Sequence, residues 1–235
     1  VVFKNSELYI SVVEVLSRKR GGITRTEISK NAGISLNGNL SKVLKDLELS
    51  GFVRHNPFYG KKKNESRYQL CDYYSLFYFR FLKDHSRKDQ HFWRNTLDHP
   101  SHHVWAGLTF ELLCMDHIAQ IKQKLGISGV LTEESSWYYK GDEENGFPGA
   151  QIDLLLDRRD RVINICEIKY SVNPYLIDKE TDLSLRNKAE VFRRSTRCNK
   201  TLQLTMITTF GLQQNRYSQM ISSQVILDDL FSGSF

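Results

Sequence analysis

The chain has 235 residues, 40% hydrophobic and 26% charged, which is ordinary for a soluble globular protein and long enough for one large domain or two small ones. Its formal charge of +6 is unevenly placed: residues 1–70 hold 13 Lys+Arg against 6 Asp+Glu, whereas the remainder balances 20 against 21. A polyanionic partner is therefore expected for the first seventy residues only, and no apolar run approaches the roughly 18 residues that a membrane span needs. Four scattered cysteines without a CxxC pair or a secretory signal point to a reduced, cytoplasmic protein. The chain opens on Val1 and enters helical pattern almost at once, as a piece of a longer protein would.

In chain order, "SELYISVVEVLSRKRGG" sets Leu8, Val12, Val15 and Leu16 at helical spacing and stops at Gly21-Gly22. "TRTEISKNAGIS" follows, with Thr24 and Glu27 in capping-box spacing for a short second helix. A third helix over 36–50 carries Leu40, Val43, Leu44 and Leu47 on one stripe, leaving Asn37, Asn39, Lys42 and Lys45 off it. After Gly51, "FVRHNPFYGKKKNESRYQL" reads as two strands around a long turn, with Arg54 on the first strand and Lys61, Lys62 and Lys63 at the tip. Three short helices and a basic hairpin resemble a winged helix-turn-helix, whose third helix enters the major groove while the wing meets backbone phosphate. Such modules also dock proteins, and a lysine run is also what a solvated loop looks like, so both readings stand.

The segment 71–102 is rich in aromatics: "CDYYSLFYFRFLKDH" carries them at 73, 74, 77, 78, 79 and 81. They surround the helix instead of alternating with basic residues, so a packed helix is expected before a base-stacking platform. Five of the seven histidines fall at 85, 91, 99, 102 and 103, and Cys114 with His117 makes one CxxH. Zinc would need a second pair with comparable spacing, which the sequence lacks. A polar linker or exposed helix ends account for the tract.

From residue 103 onward the expected order is a helix over 103–124, a strand near 130–139, a hairpin over 149–170, a helix near 176–198 and a strand in "TLQLTMITTF". That is α-β-β-β-α-β, an α/β layer on a mixed central sheet. Centring the hairpin on Arg159 makes Asp153 face Ile165 and Gln151 face Glu167. Alternation then puts Gln151, Asp153, Glu167 and Lys169 on one face and Ile152, Leu154, Cys166 and Ile168 on the other. Asp153 and Glu167 become diagonal neighbours, roughly 7–8 Å apart at the backbone. Glu111 is the acidic member of an apolar helical stripe formed by Val104, Leu108, Met115 and Ile118. Three carboxylates gathered this way resist ionisation unless a cation compensates, and oxygen donors of this kind suit Mg²⁺, or Mn²⁺ in its place. The competing reading is an exposed strand ladder in which Glu167 and Lys169 merely pair.

Asp153 followed by Glu167-Ile168-Lys169, with that order of elements, resembles the PD-(D/E)xK signature of restriction-endonuclease-like nucleases over about residues 103–210. Pro148 stands five residues before Asp153 and not beside it, so it adds nothing to the match. The resemblance implies metal ligation by Asp153, Glu167 and Glu111, activation or orientation of the attacking water by Lys169, and an accessory contact from Gln151. The layout as a whole (residues 1–70, a linker over 71–102, a nuclease-like part over 103–235) is similar to the C-terminal half of a prokaryotic AAA+-type ATPase family. No GxxxxGK[ST] occurs, so this chain holds no nucleotide cofactor through a P-loop. An ATPase module elsewhere in the full-length protein is the implied partner, alongside DNA. Two functions follow: a DNA-binding protein with a Mg²⁺-dependent phosphodiesterase domain, or a non-catalytic DNA-binding or regulatory region of an ATP-binding protein.

Overall fold

A computed structural model describes residues 6–19, 21–60, 66–83, 91–95, 99–141 and 148–232. The protein is a mixed α/β chain that divides into two units, Val1–His102 and His103–Phe235. Among the described residues no helix is long and apolar enough to cross a membrane.

The first unit begins with α1 (Ser6–Ser17), a two-residue strand β1 (Ile23–Thr24), α2 (Arg25–Ala32) and α3 (Gly38–Leu49). Thr24 and Glu27 close the capping box that their spacing predicts, and Gly33 ends α2 in the left-handed region at φ 66°. Val12, Val13, Leu16, Ile28, Leu40, Val43, Leu44 and Leu47 are all buried, which is the apolar stripe of each helix turned inward. β2 (Val53–Asn56) and β3 (Arg67–Leu70) pair antiparallel, and β1 joins β3 to give the order β1-β3-β2. The third strand, β1, lies outside the two-strand hairpin expected from the sequence.

The aromatic segment belongs to this first unit. It forms α4 (Tyr73–Phe77), a π-helical turn over Tyr78–Leu82 and the short α5 (Phe92–Asn95). Phe81 is buried and Phe77 packs on it at 5.2 Å between ring centres, with Trp93 at 5.1 Å from Phe77. Tyr74 is 70% exposed and Tyr78 is also open. A packed aromatic helix thus describes one side of the segment and not the whole. Of the histidines, His91, His99 and His103 are exposed, while His102 is buried and stacked on Trp93 at 4.0 Å. His85 lies outside the described residues.

The second unit is built on a five-strand mixed sheet of order β4-β5-β6-β7-β8. α6 (Pro100–Asp116) and α7 (Ile118–Lys124) precede it, followed by β4 (Thr132–Tyr139), β5 (Ala150–Arg158), β6 (Val162–Lys169), α8 (Lys179–Thr196), β7 (Thr201–Thr208) and β8 (Ser223–Ile226). The single helix expected over 103–124 breaks at His117, whose ring Nδ1 approaches the Leu113 carbonyl at 2.9 Å. β4, β5 and β6 run antiparallel, whereas β6, β7 and β8 are parallel. α8 is the crossover that the parallel step from β6 to β7 requires. β8 is a fifth strand that the expected α-β-β-β-α-β order does not contain.

The two faces of this sheet differ. Leu154, Leu156, Cys166, Ile168 and Ile207 pack with Phe110, Cys114 and Ile121 of α6 and α7 in one apolar core. α8 packs against β4, β5 and β7, with Leu185 and Met206 buried together and Phe192 edge-on to Trp137 at 5.3 Å. Each fully buried side chain of this size contributes about 1.5–3 kcal/mol. That burial fixes which way β5 and β6 must turn, because slipping either strand by one residue would exchange its faces.

Candidate active site

The hairpin of β5 and β6 sets the geometry. Its register pairs Asp157 with Ile163, Leu156 with Asn164, Leu155 with Ile165 and Leu154 with Cys166. The centre is therefore Asp160 and not Arg159. A three-residue loop, Arg159 to Arg161, replaces the expected turn. It closes because Arg161 adopts φ 67° and Arg158 holds the Asp160 carboxylate from within the same turn. The shift is by two residues in the pairing sum, so Glu167 and Lys169 keep their expected side. β5, however, shifts register against β4 between the Ser135–Leu155 and Trp137–Ile152 pairs, so alternation breaks at Asp153 and Gln151 joins the group through a hydrogen bond and not through face parity.

What changes is who stands opposite whom. Asp153 does not face Ile165. Asp153 and Glu167 are the next residues on their strands after the last β5–β6 pair, Leu154 with Cys166, and the Glu167 charge reaches Asp153. Gln151 does not face Glu167 either; it pairs with Tyr138 of β4. Its side chain donates to Asp153 Oδ1 at 3.1 Å.

Glu167 is buried and its two oxygens are each taken by an ammonium group: Lys169 Nζ lies 2.9 Å from Oε1 and Lys188 Nζ lies 2.6 Å from Oε2. Burial raises the Asp153 carboxyl above its ordinary range, and the Glu167 charge raises it further. Lys188, the Gln151 hydrogen bond and Lys169 offset part of that rise. For Lys169, burial disfavours the ammonium, but the charge of Glu167 and its hydrogen bond outweigh that and hold the amine above its ordinary value, with Tyr175 and Asp153 adding to the effect. Thr208, the parallel-register partner of Lys169, is fully buried with a hydroxyl that has no hydrogen-bond partner among the described residues. A buried, unsatisfied hydroxyl is unfavourable unless water or a ligand completes it.

Lys188 was not singled out from the sequence. The signal was present, because Leu185, Lys188 and Phe192 fall at i, i+3 and i+7 of α8, and both flanking residues are buried. A lysine on the buried stripe of a helix needs an anion beneath it.

Glu111 takes a different position. It lies half-buried on α6 beside Phe110 and Leu112, and its charge is one cause of the raised thiol of Cys114, after burial. Phe110 and Cys114 pack on the sheet face that carries Leu154 and Cys166, opposite to the face of Asp153 and Glu167. Among the described residues no three of His, Cys, Asp and Glu gather into a group that could hold a metal ion. The structure brings Asp153, Glu167, Lys169 and Gln151 together, while Glu111 stands on α6, whose Phe110 and Cys114 pack on the other sheet face. Cys114 and His117, the lone CxxH, likewise form no such group.

A divalent cation still fits the pair in chemistry. Asp153 and Glu167 offer oxygen donors, their mutual repulsion would be relieved by a shared positive ion, and an orphaned hydroxyl lies nearby. Each Glu167 oxygen already accepts from a lysine, so an ion bound there either shares the carboxylate with Lys169 and Lys188 or displaces one of them.

Of the residues expected to meet DNA, Asn39, Lys42 and Lys45 are exposed on α3. Asn37 is the N-cap of that helix, its side-chain oxygen accepting from the amides of Asn39 and Leu40 at 3.0 and 3.3 Å. Arg54 is half-buried on β2. Lys61, Lys62 and Lys63 lie outside the described residues.

No family model matches the chain, and no curated protein matches it. One solved structure, described as a protein of unknown function, AF1548, matches at 13% identity and a TM-score of 0.33. The match covers 48% of this chain and 55% of that one, so it spans about half of that protein.

Proposed function

We propose that the chain is a DNA-binding protein whose second unit is a PD-(D/E)xK-type, metal-dependent phosphodiesterase, with a winged helix as its first unit. The observation that carries the reading is the meeting of Asp153 and Glu167 just past the last β5–β6 pair, with Lys169 held on Glu167 at 2.9 Å. A lone E-x-K on a strand is commonplace. An Asp brought near it from the neighbouring strand, with its carboxyl raised by burial and by that neighbour, is an arrangement that a divalent cation would stabilise.

In this reading Asp153 and Glu167 hold Mg²⁺ or Mn²⁺, and Gln151 fixes the rotamer of Asp153 through its hydrogen bond. A divalent ion there would supply charge stabilisation at the phosphate and acidify bound water. Lys169 places a positive group beside the attacking water and the phosphate oxygens, which favours the charge that develops in the transition state. Asn39, Lys42 and Lys45, three exposed residues of one helix, present a polar and basic surface to the DNA backbone or groove. An ATPase module in the full-length protein, and a cytoplasmic setting, complete the proposal.

A second reading has its own support. With both Glu167 oxygens bound by lysines, the four charges neutralise one another, as they would in a site kept only for structure. The unit would then be a non-catalytic, DNA-tethering or regulatory region of an ATP-binding protein. A nicking assay on supercoiled plasmid and on branched DNA with Mg²⁺ or Mn²⁺ separates the two. The nuclease reading expects cleavage by the wild type and its loss in Asp153→Ala and Lys169→Ala. Equal activity in all three proteins, or none in any, sinks it.

A further inference from the structure

We propose that the Lys188 ammonium is a resident cation that occupies the place of a divalent ion between Glu167 and Asp153, so that metal enters by displacing it. The inference rests on the metal-site reading above and deepens it.

Three observations carry it. Lys188 comes from α8, across the sheet face, and not from the hairpin that carries the acids; it meets Glu167 Oε2 at 2.6 Å while Lys169 holds Oε1. Its side chain is 17% exposed, against 40% for Lys169, so it is the more enclosed of the two lysines. The acid it holds is also the one that meets Asp153, since Glu167 and Asp153 are the next residues after the last β5–β6 pair, Leu154 with Cys166. An ammonium held on Glu167 at that point stands where an ion shared by the two acids would sit.

The consequence follows from electrostatics. A divalent ion entering beside a fixed ammonium meets a repulsion that grows as the surroundings exclude water. The same ion must also replace a short, charge-assisted hydrogen bond. Removing the Lys188 charge abolishes both costs. A lysine that served packing alone would have the opposite signature, because its loss would loosen Glu167 and weaken any ligand that Glu167 holds.

The test is Mn²⁺ titration by calorimetry, without DNA, on the full chain as wild type, Lys188→Met and Lys188→Arg, with thermal melts of each in Mn²⁺ and in NaCl of equal ionic strength. Lys188→Met is expected to bind Mn²⁺ about tenfold more tightly than the wild type, and to gain more in melting temperature from Mn²⁺ than the wild type gains. Lys188→Arg, which keeps the charge, is expected to stay near the wild type. Binding by Lys188→Met but not by the wild type is the strong form of the same result. Binding by the wild type that is unchanged or weakened in Lys188→Met overturns the inference and leaves the metal site standing. Absence of binding in every form overturns both. If Lys188→Met folds only in Mn²⁺, the ion is replacing the ammonium and the inference holds; if it folds in neither salt, the lysine is structural and the inference fails.

Discussion

Lys188 of α8 closes on Glu167 of β6 at 2.6 Å, and the carboxylate it meets is buried beside Lys169 and Asp153. Removing one partner of a buried ion pair leaves an uncompensated charge, which costs about 3–5 kcal/mol when both groups are deeply buried. Lys169 reaches solvent, so the cost here falls lower. Glu167→Gln is expected to destabilise the second unit by about 2–3 kcal/mol in urea unfolding. Glu167→Gln with Lys188→Met should recover part of that loss, because it removes the stranded ammonium as well. A double variant less stable than Glu167→Gln would show that Lys188 contributes mainly through packing.

Asp153 should make stability fall as pH rises. Its carboxyl is raised in the folded chain by burial and by the Glu167 charge, so the folded protein binds this proton more tightly than the unfolded one does. Its favourable contribution is whole below the unfolded value of about 3.9 and is lost as pH climbs through the raised folded value. Asp153→Asn, which stays neutral throughout, should therefore melt higher than the wild type at pH 7 and lose that advantage near pH 4. Melting curves across that interval check the sign, and an advantage that grew towards acid would contradict it. The comparison belongs in metal-free buffer, where no ion relieves the carboxylate.

Much of this site was readable from residue order, and the limits of that reading are physical. Alternation along "VINICEIK" is enough to sort charged from apolar faces on β6, whereas along "AQIDLLLDR" it fails at Asp153, where β5 shifts register against β4, a bulge that residue order does not reveal. The true register was not readable, because "DRRDR" offers several possible turns, and only the positive φ of Arg161 and the Arg158–Asp160 contact select the three-residue loop. Lys188 needed the tertiary structure, as its partner lies 21 positions earlier in the chain. Glu111 illustrates the converse. Helical spacing placed it correctly on a half-buried stripe, but which sheet face that helix would cover depends on α6 and α8 taking opposite sides. β8 escaped notice because four residues after a run of turns carry little periodicity of their own.

Asn37 separates a capping role from a DNA-reading one. Its side-chain oxygen accepts from two amides at the start of α3, and loss of such a cap costs about 1 kcal/mol. Asn37→Ala should lower the melting temperature of the first unit by about 4 °C or more. Asn37→Ser, which can cap, should stay near the wild type. If both variants bind duplex DNA as the wild type does, the residue serves the helix and not the groove. Weakened binding by the serine variant with stability intact would restore it to the contact surface.

Lys42 and Lys45 give the clearest test of whether α3 meets nucleic acid at all. Both are exposed on the helix whose opposite stripe, Leu40, Val43, Leu44 and Leu47, is buried, so neither is needed for folding and Lys42→Ala with Lys45→Ala should leave the melting temperature within a degree or so of the wild type. Each phosphate contact that a lysine makes releases condensed counterions and adds about 0.9 to the slope of log affinity against log salt. If both lysines touch the backbone, the double variant should bind a labelled duplex more weakly for every sequence tried, with a slope shallower by about two. Fluorescence anisotropy between 50 and 200 mM salt reads both quantities. A parallel salt dependence in wild type and variant would mean that α3 faces no DNA, and the basic character of the first seventy residues would then have to act through other residues or serve a protein partner.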